Sequence, residues 1–388
     1  MTTQFLGYPR QGSRWKFGVR NHVVILSAMD NVNGVVNKIA GIVPGTIPLP
    51  IWYGRGQYGK DDEQTQRTIK GVITNPNVGG IVIVSLETRS ANKLADFARS
   101  AGVVTAVVVV QEAGNSLAAV VHGAQAAADI MIQLSDSQHN STEAWTGFVL
   151  GVECGGSDTT SGIAANPVMG WVADRVIDGG GSVILSETSE ILGAEHVLAA
   201  RAINQDVAHD IIAVVAKVET EAKRRGVDIR GANPVPDNIK GGLTTIEEKS
   251  LGAIIKAGSR PVQGVLEYAY PVPGPGLWVM DTPAPAAESL TGLAAGGAHV
   301  ILFSTGQGNI AGFPTVPVIK VSAHPETVKR MEPNIDFDAS AIITEDKTIE
   351  MVGRELLDHL VKIANGRFTK AEALNEGVWA ISRIEPTV

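Results

Sequence analysis

The chain has 388 residues, of which 44% are hydrophobic and only 5% are aromatic, and its formal net charge is −8. This length exceeds the size at which one hydrophobic core usually stops growing, so two domains are expected. The acidic balance, without basic runs or basic patches interleaved with aromatic residues, argues against nucleic acid or an anionic membrane as a partner. The single cysteine, Cys154, excludes an intrachain disulfide and cannot alone supply an iron–sulfur or thiolate zinc site.

Strands and helices are predicted to alternate through the N-terminal half. The apolar runs 22–29, 80–86 and 103–110 are typical of buried strands, and helices are predicted at 35–41, 91–101 and 117–130. Strands joined through helices predict mostly parallel sheets flanked by helices, which is an α/β fold. A polar stretch at 135–142 interrupts the alternation, so we predict two α/β domains, at 1–136 and 144–388.

The N terminus shows no charged region followed by an apolar run. The longest strongly apolar runs, such as 103–110, are too short to span a bilayer. We therefore expect a cytoplasmic protein with no membrane partner.

The segment after a strand predicted at 146–150 concentrates polar groups and glycines. A helix is predicted over 164–177, and short polar side chains ahead of it can cap that helix or contact an anion. The glycine pair permits a sharp turn that exposes backbone N–H groups, although a plain strand-to-helix turn would also need glycine. Covalent catalysis by Cys154 is disfavoured because no histidine lies near it in sequence, so a metal ligand or a pocket wall is preferred. The predicted substrate contacts here are Gly155, Gly156, Ser157 and Asp158.

Carboxylates and an imidazole follow the next predicted strand, in 186–196. Such ligands suit a divalent ion such as Mg²⁺, Mn²⁺ or Fe²⁺. We predict Glu187 as a metal ligand with Cys154, and Glu190 and His196 as proton-transfer groups. A helix-cap role for Glu190 and a buried, hydrogen-bonded role for His196 remain open. Farther on, a helix is predicted over 194–224 and a long ordered loop or lid over 233–242.

Two further groups suggest anion binding. A turn after the strand predicted at 299–304 carries Thr305, Gly306, Gly308 and Asn309, whose backbone N–H groups suit a carboxylate, phosphate or sulfonate. Lys320, in a strand predicted over 316–321, is a candidate base if desolvated. A nucleotide site is not predicted, because no Gly-x-Gly-x-x-Gly after a strand and no Walker A motif occurs.

Arg20 and Asn21 stand just ahead of the first long strand. Arg20 suits a bidentate contact with a substrate carboxylate, and an exposed structural ion pair is the alternative. Both residues are predicted as substrate contacts.

Taken together, these motifs resemble the altronate and galactarate dehydratase family, which also contains the large subunit of sulfolactate sulfo-lyase. The resemblance implies a lyase that eliminates water from a sugar acid, or sulfite from sulfolactate, with a divalent metal, Fe²⁺ ahead of Mn²⁺ or Mg²⁺. The metal would chelate the substrate carboxylate and α-hydroxyl while a base removes a carbon-bound proton. The motifs are Gly7–Arg10, Gly18–Asn21, Cys154–Asp158, Asn166-Pro167, Leu185–Glu187, Gly193–His196, Asn233-Pro234, Gly241–Gly252, Met280–Pro283, Ser304–Gly308 and Pro317–Lys320.

The chain also departs from the family pattern. Residues 53–57 stand where the family has His-Gly-x-Gly-Cys, and three further family cysteines are replaced, at 29–31, 85–89 and 338–340. Arg55 and Arg89 add positive charge, which suits an extra anionic group such as a sulfonate, so Arg55 is predicted to bind substrate.

The family's small N-terminal domain is expected on a separate subunit, because the family motifs begin near Phe5. The resemblance thus favours a sulfo-lyase-like large subunit, and a homo-oligomer is expected. A sugar-acid dehydratase is the first alternative. A non-catalytic or anion-binding subunit of the same fold is the second, motivated by the replaced cysteines.

Overall fold

The computed structural model describes residues 5–52, 55–137, 139–142, 145–385 and 387, which form two compact units. The N-terminal unit comprises 6–142 together with 381–388, and the C-terminal unit comprises 143–380 with the first five residues. The C-terminal tail therefore joins the N-terminal unit, whereas the chain order had suggested the second domain. The tail is held by hydrogen bonds to buried Asp61. The Asp61 carboxylate accepts from Arg383 Nη2 at 2.8 Å and from the Ile384 backbone N–H at 2.8 Å.

The N-terminal unit is built on a parallel sheet in the order β4–β3–β5–β6, with a small sheet β2–β1–β7 beside it. Its core is made of Val, Ile and Ala side chains, such as Ile25, Val82 and Ala127. The strands are β1 Phe5–Pro9, β2 Phe17–Gly18, β3 His22–Ser27, β4 Thr46–Leu49, β5 Val78–Ser85, β6 Val104–Val109 and β7 Asn140–Thr142. The helices are α1 Asn33–Ile42, α2 Gly59–Ile73, α3 Thr88–Ser100, α4 Val110–Ala113 and α5 Ser116–Ser135.

Helix α5 alone among the described helices is long and apolar enough to cross a bilayer by length and composition. A helix was predicted here at 117–130, and it extends to Ser116–Ser135. One such helix is weak evidence for a membrane span. Ala119, Val120, Ala127 and Ile130 of α5 belong to the core of the unit, which accounts for one apolar face.

The motifs at 7–10 and 18–21 are joined by hydrogen bonds at the start of the N-terminal unit. The Arg10 guanidinium donates to Pro76 O at 2.6 Å, to Asn21 Oδ1 at 2.9 Å and to Arg20 O at 2.7 Å. A Cβ atom on Gly18 would lie 1.9 Å from Pro76 O, so only glycine permits this approach. This motif therefore has a structural role.

The C-terminal unit contains a parallel sheet in the order β10–β11–β9–β8–β12–β13–β14. The two units thus confirm the predicted α/β fold class with mostly parallel sheets. The strands are β8 Val149–Cys154, β9 Ser182–Leu185, β10 Val262–Leu266, β11 Gly276–Met280, β12 Val300–Ser304, β13 Val318–Ser322 and β14 Phe337–Asp338. The helices are α6 Asn166–Asp178, α7 Glu195–Ala199, α8 Gln205–Arg224, α9 Ile229–Ala232, α10 Pro236–Lys240, α11 Ile246–Ile254, α12 Ala286–Ala295, α13 Pro325–Arg330, α14 Ala341–Thr344, α15 Ile349–Ala364 and α16 Lys370–Ala373.

Several predicted elements differ in their bounds. Strand β8 runs on to Cys154, so this residue ends a strand and does not belong to the loop. The helix predicted over 194–224 is two helices, α7 and α8, and the predicted irregular segment 233–242 contains α10. A π-helical turn, Ser161–Ala165, precedes α6.

The register of this sheet shows on which face each buried side chain at its carboxyl edge lies. Glu153, Phe303 and Lys320 are cross-strand partners in β8, β12 and β13, so they share one face. Cys154 and Ser304 form the next row, and they face the opposite side because side chains alternate along a strand. The carboxyl edge therefore carries polar groups on both faces.

Candidate active site

Cys154, Glu187 and Lys256 form a buried cluster on the Cys154 face of the sheet. The Lys256 ammonium donates to Cys154 Sγ at 2.9 Å and to Glu187 Oε2 at 2.7 Å. The same Glu187 oxygen accepts the backbone N–H of Cys154 at 2.8 Å. The side chains of Lys256 and Glu187 are only 1% and 2% exposed. The cluster is thus an ion pair held inside the protein against a thiol.

The environment sets the charge of each group. Burial and the neighbouring Glu187 raise the pKa of the Cys154 thiol, so Cys154 is neutral and a poor nucleophile. Burial also raises the pKa of Glu187, whereas Lys256 acts in the opposite direction. Burial opposes the charge of Lys256, but the Glu187 carboxylate at 2.7 Å favours that charge, and the net effect raises the pKa of Lys256. Lys256 therefore remains an ammonium ion.

Glu187 has a constrained backbone. It follows β9 directly with φ +68°, in the left-handed region that non-glycine residues rarely adopt. Its N–H donates to Thr282 Oγ1 at 2.6 Å, and the N–H of Thr188 donates to Thr282 O at 2.9 Å. Such a conformation persists where the surroundings fix it, and it is enriched at functional sites.

Glu153 lies on the opposite face and is fully buried. Its Oε2 accepts hydrogen bonds from the hydroxyls of Ser186 and Ser289, the latter at 2.5 Å. Burial, together with the charge of Glu187, raises the pKa of Glu153 well above its usual range. Burial therefore favours the protonated, neutral form of Glu153.

Lys320 is buried on the Glu153 face. Its ammonium donates to Ala311 O and lies 4.6 Å from the centroid of the Phe303 ring. Burial lowers the pKa of Lys320 to about 8, although Asp336 and other carboxylates act in the opposite direction. A lysine with this pKa is partly in the free-amine form slightly above neutral pH, and a general base needs that form.

The lowered pKa of Lys320 predicts a pH-dependent stability. Folded Lys320 releases its proton near pH 8, whereas the unfolded chain holds it up to about 10.5. The unfolded state binds more protons in that window, so the stability of the wild type relative to Lys320→Met should rise with pH, by up to about 3 kcal/mol. Urea unfolding of both proteins at about pH 7 and about pH 10 measures this change. A difference that stays constant with pH would show that burial does not perturb Lys320.

The turns after β8 and β12 are hydrogen-bonded to each other. Gly155 N donates to Ser304 O at 3.0 Å, and Gly156 O accepts the N–H groups of Gly306 at 3.1 Å and Gln307 at 2.9 Å. Gly308 N donates to Thr305 Oγ1 at 2.9 Å, and Asn309 Oδ1 accepts from Ala311 N at 2.9 Å. The N–H groups of Gly155, Gly306 and Gly308, which the sequence assigned to a substrate anion, thus have acceptors within the protein.

Asp158 caps the helix that begins with the π turn. Its Oδ1 accepts the N–H of Ser161 at 2.9 Å and the hydroxyls of Ser161 and Thr160 at 3.0 and 2.8 Å. The cap is the structural role that the sequence left open for this residue. Its carboxylate occupies the position where a substrate anion would otherwise meet the helix N terminus.

Replacement of Gly306 is predicted to disrupt this cap. A Cβ atom there would lie 2.0 Å from Asp158 Cγ, so Gly306→Ala must displace the capping carboxylate. We expect a destabilisation of about 1–3 kcal/mol, measured by chemical unfolding. Gly274→Ala is the matched control, because nothing lies within 4 Å of its Cβ position and its φ is ordinary. Equal stability of the two variants would contradict the packing.

A small pocket of about 240 Å³ opens between the π turn and α11. Its polar lining includes Asn166, whose Oδ1 accepts from Ser304 Oγ at 2.5 Å and thereby links the pocket wall to the Cys154 row. π-Helical turns inside helices are frequent at functional sites. The lining residues are Ser157, Asp158, Thr159, Ser161, Gly162, Ile163, Asn166, Leu243, Glu248, Lys249, Leu251, Gly252 and Ile255. We refer to it as the Ser157 pocket.

Lys249 is the cation that lines the Ser157 pocket. Its Nζ lies 3.0 Å from Glu190 Oε2 and donates to Asn233 Oδ1 at 2.7 Å. Both side chains of the Lys249–Glu190 pair are 9% exposed. Glu190, predicted from sequence as a proton-transfer group, is thus held by a lysine at the pocket wall.

His196 and three residues of the N-terminal unit were also predicted as site residues. His196 is exposed on α7. In the N-terminal unit, Arg20 is buried with Nη1 donating to Val19 O at 3.0 Å, and Asn21 Oδ1 is taken by Arg10. Arg55 forms a mostly exposed ion pair with Asp30 at 3.4 Å. The replaced family motif at 53–57 begins with Tyr53 and Gly54, which lie outside the described residues.

Sequence reasoning missed Lys256, Lys249 and Glu153. The signal for Lys256 was a charged residue inside the apolar segment 254–257, and for Glu153 a carboxylate inside a strand that is otherwise apolar. Both are patterns of burial, in which a charge has to find a partner. Neither pattern indicates which residue is the partner of the buried charge.

The predicted metal ligands do not fit a divalent ion. Both donor atoms, Cys154 Sγ and Glu187 Oε2, contact Lys256 Nζ. Within the part of the chain that the structure describes, no group of three or more His, Cys, Asp or Glu side chains is arranged to hold a metal ion. A metal used by this protein would therefore need other ligands.

Buried ionisable groups at the carboxyl edge of a parallel sheet, beside a small pocket, are typical of an α/β enzyme. The chain matches two family models over most of its length. Residues 7–135 match the second domain of D-galactarate dehydratase/altronate hydrolase, and residues 145–387 match the C-terminal domain of D-galactarate/altronate dehydratase.

Curated relatives extend these matches. The chain is 38% identical to (2R)-sulfolactate sulfo-lyase subunit beta of Chromohalobacter salexigens, over 98% of this chain and 97% of that protein. It is 32% identical to altronate dehydratase of Bacillus subtilis, over 95% of this chain and 75% of the relative, and 31% identical to that of Escherichia coli, over 91% and 72%. The chain therefore belongs to the galactarate and altronate dehydratase family, whose matched members are lyases.

Proposed function

We propose that this chain is the large subunit of a lyase that acts by β-elimination on a small α-hydroxy acid, with (2R)-sulfolactate as the substrate. The observation that carries the proposal is the nearly end-to-end match, over 98% and 97% of the two chains, to a sulfo-lyase subunit. The altronate dehydratases match over only 75% and 72% of their own length.

The proposed reaction requires a base and a site for two anionic groups. The base removes the proton on C2, the C2–C3 double bond forms, and sulfite leaves C3 with the electron pair of the broken C–S bond. The resulting enol tautomerises to pyruvate. The Ser157 pocket, of about 240 Å³, has a size that suits a three-carbon acid.

Lys249 and Glu190 are proposed as the ionic pair that serves this pocket. Lys249 lines the pocket together with the carboxylates of Asp158 and Glu248, and it is the lining residue whose positive charge a substrate carboxylate or sulfonate can pair with. Glu190, whose Oε2 lies 3.0 Å from Lys249 Nζ, stays the proposed proton-transfer group of this pair. Lys320 stays a second candidate base, supported by its pKa of about 8. His196 is a weaker candidate, because it is exposed on α7.

A divalent metal, Fe²⁺ ahead of Mn²⁺ or Mg²⁺, also stays a prediction from the family resemblance. When bound, such an ion would polarise the substrate carboxylate and stabilise the charge of the enolate. The Cys154–Glu187 pair is not proposed to hold it.

We further propose a separate small subunit as partner, because the sulfo-lyase relative is named as one subunit of an enzyme. A homo-oligomer and a cytoplasmic location remain proposals from the sequence.

A turnover assay tests the proposal. The purified chain is incubated, with and without its candidate small subunit and under anaerobic Fe²⁺, Mn²⁺ or Mg²⁺, with sulfolactate, altronate or galactarate. Sulfite and pyruvate in equal amounts from sulfolactate are the expected result. A 2-keto-3-deoxy sugar acid without sulfite would instead assign a sugar-acid dehydratase, which the 31–32% identity to altronate dehydratases makes the second candidate. Tight anion binding without turnover or metal would assign a non-catalytic subunit.

A further inference from the structure

Lys256 occupies the position that a metal ion would need between Cys154 and Glu187. Its Nζ lies 2.9 Å from Cys154 Sγ and 2.7 Å from Glu187 Oε2. A divalent ion bound to the same two atoms would lie about 2.3 Å from sulfur and about 2.0–2.2 Å from oxygen. These positions overlap the ammonium group, so the ion and Lys256 cannot both be in place.

The position of Lys256 is fixed by the backbone around it. Lys256 belongs to the 3-10 segment Ile255–Ala257, and a Cβ atom on Gly170 of α6 would lie 2.2 Å from Ile255 O. Gly258, which follows, has φ +75°, and its Cβ would lie 2.2 Å from Asp174 Oδ1. Two glycines thus let this segment pack directly on α6, and this packing places the Lys256 backbone beside the cluster.

The charge of Lys256 also argues against a metal ion bound to Cys154 and Glu187. The cluster already contains one full positive charge that is almost entirely shielded from water. A divalent cation placed beside that ammonium would be repelled strongly in so dry a site. Glu153 adds no ligand on this face, because it projects from the opposite side of the sheet.

We infer that Lys256 is the resident cation of this cluster and that Cys154 and Glu187 are not metal ligands. In this arrangement Lys256 is a positioning residue, which holds the Glu187 carboxylate against the Cys154 N–H and keeps the left-handed turn after β9 in place. The inference is independent of the substrate and of the leaving group. It also accounts for a thiol without a basic histidine, since Cys154 serves as an acceptor for the ammonium.

Cobalt absorption tests the inference on the full chain. Cys154 is the only cysteine of the protein, so any thiolate-to-Co²⁺ charge-transfer band in the near ultraviolet must come from it. The wild type, titrated anaerobically with Co²⁺, is expected to show no such band and to bind the same amount of Co²⁺ as Cys154→Ala. A band in the wild type that disappears in Cys154→Ala would overturn the inference.

A second variant tests the role of the lysine. Lys256→Met removes the ammonium and is expected to gain the thiolate band, which should vanish in the double variant Lys256→Met/Cys154→Ala. The comparison of the wild type with Cys154→Ala decides the question even where Lys256→Met does not fold. Because the readout is spectroscopic, failure of the sulfolactate assay and failure of this inference are separate results.

Discussion

Lys256→Met is expected to destabilise the protein by about 3–5 kcal/mol, the cost of leaving a buried carboxylate without its counter-ion. The variant keeps an unbranched side chain that is one atom shorter, and it leaves Glu187, which is 2% exposed, without an ammonium. Chemical unfolding monitored by circular dichroism measures the loss. The double variant Lys256→Met/Glu187→Gln should lose much less stability than the summed losses of the two single variants, because both buried charges are then removed.

An exposed lysine provides the matched control. Lys217 pairs with Asp281 at 2.9 Å, close to the 2.7 Å between Lys256 and Glu187, but the side chain of Lys217 is 73% exposed. Lys217→Met should therefore change the stability by no more than about 1 kcal/mol. Comparable losses for Lys256→Met and Lys217→Met would be inconsistent with a buried ion pair at Lys256.

Lys249→Met is expected to have the largest effect on turnover. It removes the pocket's cation, and a charged hydrogen bond of this kind is worth about 1.5–3 kcal/mol, which corresponds to roughly a 10–150-fold loss in kcat/KM. Lys249→Arg, which keeps the charge, should recover part of that loss. Steady-state kinetics on sulfolactate, with sulfite as the readout, measure both variants.

The design separates substrate binding from folding. Lys240 is exposed on α10 and is absent from the pocket lining, so Lys240→Met should leave the kinetics unchanged. The unfolding midpoint of Lys249→Met is measured alongside, because the variant leaves the partly buried Glu190 unpaired. Wild-type kcat/KM in a correctly folded Lys249→Met would remove the Ser157 pocket from the proposed mechanism.

The strands of the site were predictable because their sequences are continuous apolar runs that end in polar residues. Parallel neighbours such as β8 and β9 end at the same edge of a sheet, and the structure places the Cys154 N–H 2.8 Å from Glu187 Oε2. Boundaries were less certain, because an apolar run does not show where a strand stops. Strand β8 thus reaches Cys154, four residues beyond its predicted end.

The partners of the buried charges were not predictable. Lys256 is separated by 102 residues from Cys154 and by 69 from Glu187, and no spacing rule connects them. In the same way, the residues of the 304–308 turn are of the kinds that form anion sites. The N–H groups of Gly306 and Gln307 nevertheless donate to Gly156 O, and that of Gly308 donates to Thr305 Oγ1. Composition shows which groups can bind an anion, but not whether the fold has already used them.

The sequence by itself determined the α/β class, the family and the segments that carry the site, because hydrophobic periodicity and local motifs report local structure. Only the tertiary structure decided which charges meet. The close packing of Gly170 on Ile255 O brings Lys256 beside Cys154 and Glu187, and the cap at Asp158 requires Gly306. Contacts of this kind depend on how distant helices and strands pack, and a buried charge has to accept whichever partner that packing provides.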